Sequence, residues 1–416
     1  MTIVEFFDGV SMDNMASCLA IKPDKVIFIG VNTLMEKQKA AYSRLAESHG
    51  LNVEFEYREI PRNNIKKITE VLSDIAENEE ECIFDLTGGE DLVLVAMGIV
   101  FERYKNTRKL QMHRFNIKEC AIYDCDNDGV LPDIKLPEIS CADNITLYGG
   151  SIVPYDGEKG TYDWDFNDGF KNDIKNMWEI CKRNPGLWNS QITTIYYIVK
   201  ASTVKDDNLC VSASKKNVEA RMKADKYTFT WVHGIAKALS QKGLINNLEE
   251  SDEIISFAFK NEQIKMCLTK EGTVLELIVL LFAQSVKDKN GSLMFDDALN
   301  GAYIDWDAVL HKSNDDVKDT ENEIDVILMK GLMPVFISCK NGYFDETELY
   351  KLDTVAKRFG GPYVRKVLIA TYFGKNNFQG HKYFEQRAKD MDIKLIEKAH
   401  ELNNEEFVKA IKEKCS

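Results

Sequence analysis

Over roughly the first 150 residues, short apolar runs alternate with stretches of helical period. The runs are IVEFF (3–7), KVIFIG (25–30), NVEFEY (52–57) and CIFDL (82–86), and helical patterns fall at 34–48, 62–77 and 89–105. Repeated βα units of this kind imply a parallel sheet covered on both faces. Ligands of such sheets collect at the carboxyl ends of the strands. Three strand ends carry suitable residues: Asp8 through Ser11, Met12, Asp13 and Asn14; Gly30-Val31-Asn32-Thr33; and Asp85-Leu86-Thr87-Gly88-Gly89-Glu90. Paired glycines before a helix leave backbone N–H groups open to an anion. The plainer reading of Asn32 and Thr33 is that they cap the next helix. Neither GxGxxG nor GxxxxGK[ST] occurs, which disfavours a dinucleotide or Walker-type site.

After residue 148 the pattern changes. Gly149–Gly169 is rich in Gly and Asp and reads as a linker or surface excursion. Helical periods follow at 170–184, 189–202 and 229–242. Glu253–Phe259 and Gln263–Leu268 then alternate about Lys260-Asn261-Glu262, a hairpin signature. Helices followed by a two-stranded wing suggest a winged helix-turn-helix. Lys200, Lys205, Lys215, Lys216, Arg221, Lys223 and Lys226 fit nucleic-acid contact. Because Asp206, Asp207, Glu219 and Asp225 interleave with them, they fit a solvated face equally well.

The most informative stretch is NEIDVILMKGLMPVFISCKN (322–341). Two apolar runs flank a Gly- and Pro-containing turn, predicting a largely buried hairpin that brings Asp325 level with Ser338 and Cys339. Ser338 and Lys340 share one face of the second strand. A carboxylate beside a lysine at an apolar mouth is costly unless something is gained, and a divalent metal with a phosphodiester would supply that gain. Upstream, the apolar helix TVLELIVLLFAQ (273–284) carries one acid, Glu276. Such an acid ordinarily faces solvent or serves the helix N-terminus.

At 416 residues, two or three domains are expected. Hydrophobic content of 44% with 29% charged residues fits a folded globular chain. Ten cysteines without CxxC pairs read as reduced, mostly buried thiols of a cytoplasmic protein. No signal peptide or membrane span is expected. The net charge of −14 argues against a DNA-coating surface, although a metal-containing cleft needs only a local positive field.

Helix-borne Glu276, strand-borne Asp325 and Ser338-Cys339-Lys340 together resemble the PD-(D/E)xK nuclease core. A helix over 346–359, Gly360-Gly361 and a strand over Lys366–Thr371 continue that resemblance. It implies catalytic Glu276, Asp325 and Lys340, with Mg2+ or Mn2+ held by Asp325, Glu276 and the backbone carbonyl of Cys339. Lys340 would orient water or stabilise transition-state charge. The acid expected two residues before the lysine is Ser338 here, with Glu323, Glu346 and Glu348 as candidate substitutes. Together with the Asp85–Gly89 turn, the whole chain resembles ancillary nucleases of type III CRISPR systems. These join a Rossmann-like CARF sensor to such a nuclease. The expected organisation is α/β throughout: a CARF domain (1–148), a winged-helix-like middle segment (149–268) and a mixed-sheet, restriction-endonuclease-like domain (269–416). The resemblance further implies a homodimer that binds cyclic tetra-adenylate through Ser11, Met12, Asp13, Asn14, Asn32, Thr33, Thr87, Gly88, Gly89 and Glu90. DNA and/or RNA would be the substrate. The competing expectation is a CARF transcriptional regulator with a winged helix and an inactive nuclease-like domain.

Overall fold

The computed structural model describes residues 1–127, 129–131, 138–204, 206–309, 321–342, 344–372 and 378–416, with only the backbone of residues 32, 34 and 378–380. The N-terminal alternation is realised as β1 (Thr2–Phe7), α1 (Ser11–Ile21), β2 (Lys25–Gly30), α2 (Asn32–Ser48), β3 (Glu54–Glu59), α3 (Ile65–Asn78), β4 (Glu81–Asp85), α4 (Asp91–Tyr104) and β5 (Lys109–Asn116). With β6 (Ala121–Asp124) and β7 (Gly129–Val130), these strands form a sheet in the order β3-β2-β1-β4-β5-β6-β7, parallel through β5. The order reverses between β1 and β4, so a crevice opens at their carboxyl ends. Burial alternates along β1: Val4 and Phe6 join a core with α3 and α4, whereas Ile3 and Phe7 face α1 and α2.

Next come α5 (Cys141–Leu147), β8 (Ser151–Ile152), α6 (Asp168–Cys181), α7 (Pro185–Ala201), β9 (Cys210–Ser214), α8 (Lys215–Ala224), α9 (His233–Gln241), β10 (Ile245–Glu250), β11 (Ile254–Phe259) and α10 (Glu262–Cys267). The wing differs from expectation. Its hairpin is β10–β11, joined by β9 into a three-stranded sheet, and Gln263–Leu268 is not its second strand. Asn261 accepts a hydrogen bond from the Ile264 N–H and so caps α10. Ile264 and Cys267 are then buried at helical spacing, which a short run cannot distinguish from strand alternation. Lys205 lies outside the described residues.

The remaining elements are α11 (Thr273–Ala283), β12 (Asp297–Asp305), β13 (Glu321–Lys330), β14 (Met333–Lys340), α12 (Thr347–Phe359), β15 (Arg365–Ala370), α13 (Phe378–Asp390), β16 (Ile393–Ile396) and α14 (Asn404–Cys415). The second large sheet runs β16-β15-β14-β13-β12-β8, with β14–β15 and β15–β16 parallel and the other pairs antiparallel. The β13–β14 hairpin folds at Gly331, where φ is +58°. The stretch after residue 148 contributes β8 to this sheet rather than hanging free. Its later part also attaches: the Tyr303 N–H donates to Thr161 Oγ1 at 2.8 Å, and Lys159 pairs with Glu321 at 2.8 Å.

Two cores clamp the second sheet. Val326, Leu328, Val335 and Ile337 pack with α11, α14 and the middle helices. Ile327, Met329, Phe336 and Leu368 share a continuous core with Phe7, Phe28 and Tyr42 of the first domain. Helix α5 bridges the two, packing on α2 and on β12, and Asn144 Nδ2 donates to the Phe359 carbonyl at 2.8 Å. No helix among the described residues is long and apolar enough to cross a membrane.

Phe359 is fully buried in this shared core. Phe359→Ala is expected to destabilise the chain by about 3–5 kcal/mol. Denaturant unfolding followed by one probe in each large sheet should show both midpoints shifting. A shift confined to the C-terminal sheet would contradict the shared core.

Candidate active site and sensor pocket

Asp325 sits near the start of the apolar part of β13, opposite the end of β14. Its Oδ2 accepts from the Cys339 N–H at 2.6 Å, from Ser338 Oγ at 3.3 Å and from Lys340 Nζ at 3.4 Å. Ser338, where an acid was expected, therefore acts here as a donor that orients Asp325. Lys340 Nζ also meets Glu348 Oε2, from the first turn of α12, at 3.0 Å. Burial would lower the lysine pKa, but Asp325 and Glu348 outweigh it and hold the ammonium well above its ordinary range. Glu348 in turn contacts Lys351 at 2.7 Å. Against the raising effect of burial, its two lysines keep its pKa below the usual value.

Glu276 neither faces solvent nor merely serves the helix end; it is 6% exposed. Its Oε2 accepts from Asn300 Nδ2 at 3.3 Å, and the same amide donates to the Asp325 carbonyl at 3.1 Å. Asn300 thus ties α11 to β13. Burial first, then the Asp325 charge, raises the Glu276 pKa to about 8. Asp325 is raised as well, by burial, against the opposing pull of Lys340 and the Cys339 N–H. Two buried carboxylates that disfavour each other's charge suit a divalent cation, and oxygen donors are what Mg2+ and Mn2+ take. The donor set of Glu276 and Asp325 fits such an ion.

Of the three candidate substitutes for the missing acid, Glu346 is exposed and Glu348 is engaged with Lys340. Glu323 lies on the Glu276 side and pairs with Lys270 at 2.6 Å. Lys270, Thr273 and Asn300 were not foreseen. An isolated Asn within a strand gives no period or motif, and Lys270 acquires its meaning only when β13 is brought beside it. Elsewhere, His381, Glu385 and Glu397 gather within 4.8 Å. The two acids address opposite ring nitrogens of His381, at 3.6 and 3.2 Å.

The crevice at the first sheet brings two of the three strand-end turns together. Ser11, Met12, Asp13 and Asn14 form the first turn of α1 and are buried. Asn14 Oδ1 accepts from the Asp8 N–H at 3.2 Å, and its Nδ2 donates to the Asp8 carbonyl at 3.1 Å and to Tyr42 OH at 2.8 Å. Gly88 fits beside Asp8 because it has no β-carbon; one added there would lie 2.8 Å from Asp8 Oδ2. Gly89 takes a φ of +133°, open only to glycine. Thr87 is partly structural: Thr87 Oγ1 accepts from the Phe115 N–H at 2.7 Å and donates to Asp85 Oδ1. Glu90 precedes α4 and faces Arg62 Nε at 3.5 Å. Asn32 and Thr33 open α2, but the N-cap position is Val31 and no side-chain cap forms. Thr33 is exposed.

This crevice is acidic. Burial, then the neighbouring Asp85, pushes the Glu5 carboxyl well above its ordinary value. Burial raises Asp8 and Asp85 too, and takes Asp13 to about 6 despite a hydrogen bond from Tyr363. That tyrosine belongs to the turn between α12 and β15. The middle-segment lysines are partly engaged: Lys215 pairs with Glu250 at 2.9 Å and lies 3.8 Å over the Trp231 ring, and Lys200 lies over Tyr196.

Because the folded protein holds the Glu276 proton more tightly than the unfolded chain does, this group costs nothing at acidic pH. It destabilises increasingly as pH rises from the ordinary glutamate value toward about 8. Glu276→Gln should therefore raise the unfolding temperature of metal-free protein on the alkaline side of that value and change it little on the acid side. Thermal scans across that range check this; a pH-independent difference would contradict it.

No protein-family model matches the chain, and no curated protein does. Solved structures do match. The chain is similar to protein VC1899 from Vibrio cholerae (TM-score 0.68, 16% identity, covering 99% of this chain and 96% of that one). It is also similar to Can2 from Sulfobacillus thermosulfidooxidans, solved in complex with cyclic tetra-adenylate (TM-score 0.64, 14% identity, covering 100% and 99%). A type III CRISPR defence DNA nuclease activated by cyclic oligoadenylate matches at TM-score 0.50 and 13% identity, over 90% of this chain and 46% of that one. At these identities, what is shared is an α/β fold with mixed sheets, and for the first two it extends over essentially the whole chain.

Proposed function

We propose that the protein is a nuclease gated by a cyclic oligoadenylate, cyclic tetra-adenylate in particular, and that it acts in type III CRISPR defence. The observation that carries this is the constellation of buried Glu276 with half-buried Asp325 and Lys340, on a fold shared end to end with a protein solved with cyclic tetra-adenylate. In this reading the first sheet is a CARF sensor and the helices with the three-stranded sheet form a winged-helix-like connector. The six-stranded sheet is then the PD-(D/E)xK nuclease, with DNA and/or RNA as substrate. A divalent ion at Glu276 and Asp325, with the Cys339 carbonyl as a third donor, would supply an activated water and neutralise phosphate charge. Lys340, kept protonated by its two acids, would stabilise the charge that develops on the phosphorane. A regulator without catalysis has no use for burying these three groups together at such cost.

A twofold-symmetric ring suits an isologous dimer. We read Leu92, Val95 and Ile99 as its contact. They are 37%, 52% and 42% exposed, lie on one stripe of α4, and begin just after the Gly88–Glu90 turn.

The gate follows from α12. Its first turn holds Lys340 through Glu348, and the turn beyond its last residue presents Tyr363 to Asp13 of the crevice. A ligand displacing that contact shifts the helix and frees the lysine. Activation requires only that the ring bind the shifted state more tightly.

The decisive experiment offers supercoiled plasmid, single-stranded DNA and RNA with Mg2+ or Mn2+, with and without cyclic tetra-adenylate. Cleavage that is independent of the ring, or absent with every substrate, overturns the proposal. Lys340→Ala and Asp325→Ala should each cut the rate by about 100-fold or more without weakening ring binding. Gly88→Val should do the reverse, abolishing ring binding by forcing a side chain onto Asp8, as equilibrium binding would report. Glu348→Gln should raise the ring-free rate roughly 5- to 100-fold, the scale of ordinary allosteric coupling. Loss of activity in that variant instead would assign Glu348 to the metal shell.

A further inference from the structure

On the Glu276 side, the active site opens into a pocket of about 260 Å³. This is smaller than the roughly 300–1,000 Å³ typical of sites that enclose a whole small molecule. One wall is aromatic and comes from the fold-back after β8. The rings of Tyr155 and Tyr162 lie 5.4 Å apart, and those of Tyr162 and Trp164 lie 4.5 Å apart. Trp164 stacks on Phe170 of α6 at 5.5 Å with an interplanar angle of 9°, which anchors the wall to the connector. Tyr162 itself is half-buried and lines the pocket between its two aromatic neighbours in the chain.

The opposite wall is polar. Thr273, at the first position of α11, is 3% exposed and lines the pocket, yet its Oγ1 has no hydrogen-bond partner. A buried hydroxyl left unsatisfied is uncommon and marks a place where a partner is missing. One turn further along α11 lies Glu276. Two half-exposed cations stand at the rim, each paired with an acid: Lys270 with Glu323 and Lys159 with Glu321. The occupant must therefore be flat on one side and offer a hydrogen-bonding edge to Thr273, and any phosphate it carries would have to share the two lysines with the acids they already meet.

We propose that this pocket holds one unpaired nucleobase of the substrate strand, adjacent to the phosphate that lies over Glu276 and Asp325. The base stacks on Tyr162, its edge meets Thr273 Oγ1, and its flanking phosphates meet Lys159 and Lys270. This inference rests on the nuclease reading given above. Every base has a π face and a hydroxyl can both donate and accept, so the pocket tolerates any sequence. It does not tolerate pairing, because a base held in a duplex cannot enter it. The enzyme is then selective for single strands or for ends that have frayed.

The test uses the full chain with Lys340→Ala to prevent turnover, and single-stranded DNA and RNA oligonucleotides carrying a fluorescent adenine analogue, beside the same DNA as a duplex. Binding should quench the analogue in the single strands, and the duplex should bind more weakly. Adding Tyr162→Ala should weaken single-strand binding roughly 5- to 100-fold and abolish the quench, with Tyr162→Phe restoring both. Thr273→Val guards against a folding defect. Replacing an unpartnered buried hydroxyl by a methyl should raise the unfolding temperature, yet weaken single-strand binding severalfold. Unchanged affinity in Tyr162→Ala and Thr273→Val, or tighter binding of the duplex, overturns the base pocket. If the protein with Lys340 intact also cleaves and Tyr162→Ala cleaves as fast, only the base pocket fails. If the intact protein cleaves nothing under any condition, the nuclease reading fails with it.

Discussion

The arrangement depends on one expensive object, the half-buried carboxylate of Asp325. An ionised acid out of water must be surrounded by donors or give up its charge. Here the backbone N–H of Cys339, the hydroxyl of Ser338 and the ammonium of Lys340 all converge on a single oxygen. Each of these groups is fixed by the pairing of β13 with β14, so the strand register and the electrostatics of the site are one constraint. A one-residue slip would carry Lys340 and Ser338 to the opposite face and leave the acid among apolar side chains. Glu276 adds a second charge problem from the helix side, and Asn300 is the group through which helix and strand negotiate it.

Much of this was legible in the residues alone. The βα alternation specified the parallel sheet, because strands buried on both faces must read as continuous apolar runs. The hairpin about Gly331 specified its own register through the turn and the position of the two charged residues. Asp325, Ser338 and Lys340 met as that register required. What stayed hidden depends on contacts distant in sequence. Gln263–Leu268 satisfies both strand and helix periodicity, and only the Asn261 cap decides between them. Gly149–Gly169 has the composition of a linker, yet Thr161 and Lys159 find partners on β12 and β13 that no local pattern announces. Thr87 illustrates the converse: a polar residue at a strand end invites a ligand role, while much of its bonding capacity is spent on Asp85 and Phe115.

The helix α12 has charge at both ends and apolar packing between. Glu348 at its start touches Lys340, and the turn carrying Tyr363 after its end touches Asp13 of the crevice. Leu349, Leu352, Val355, Ala356 and Phe359 along its length lock it into the shared core. A packed helix of this kind transmits displacement as a rigid rod, since close-packed interiors repack in steps and do not deform smoothly.

The shared core has a consequence for modularity. Proteins that join a sensor to an effector are often treated as two cassettes on a string, each replaceable. Phe7, Phe28 and Tyr42 belong to the same apolar cluster as Phe336, Leu368 and Phe359, with α5 wedged between the sheets. Neither half can be excised without baring a large apolar face to water. A graft of a foreign N-terminal half would have to reproduce that face residue by residue. The two halves of this chain are bound to change together, so divergence in one leaves its imprint on the buried surface of the other.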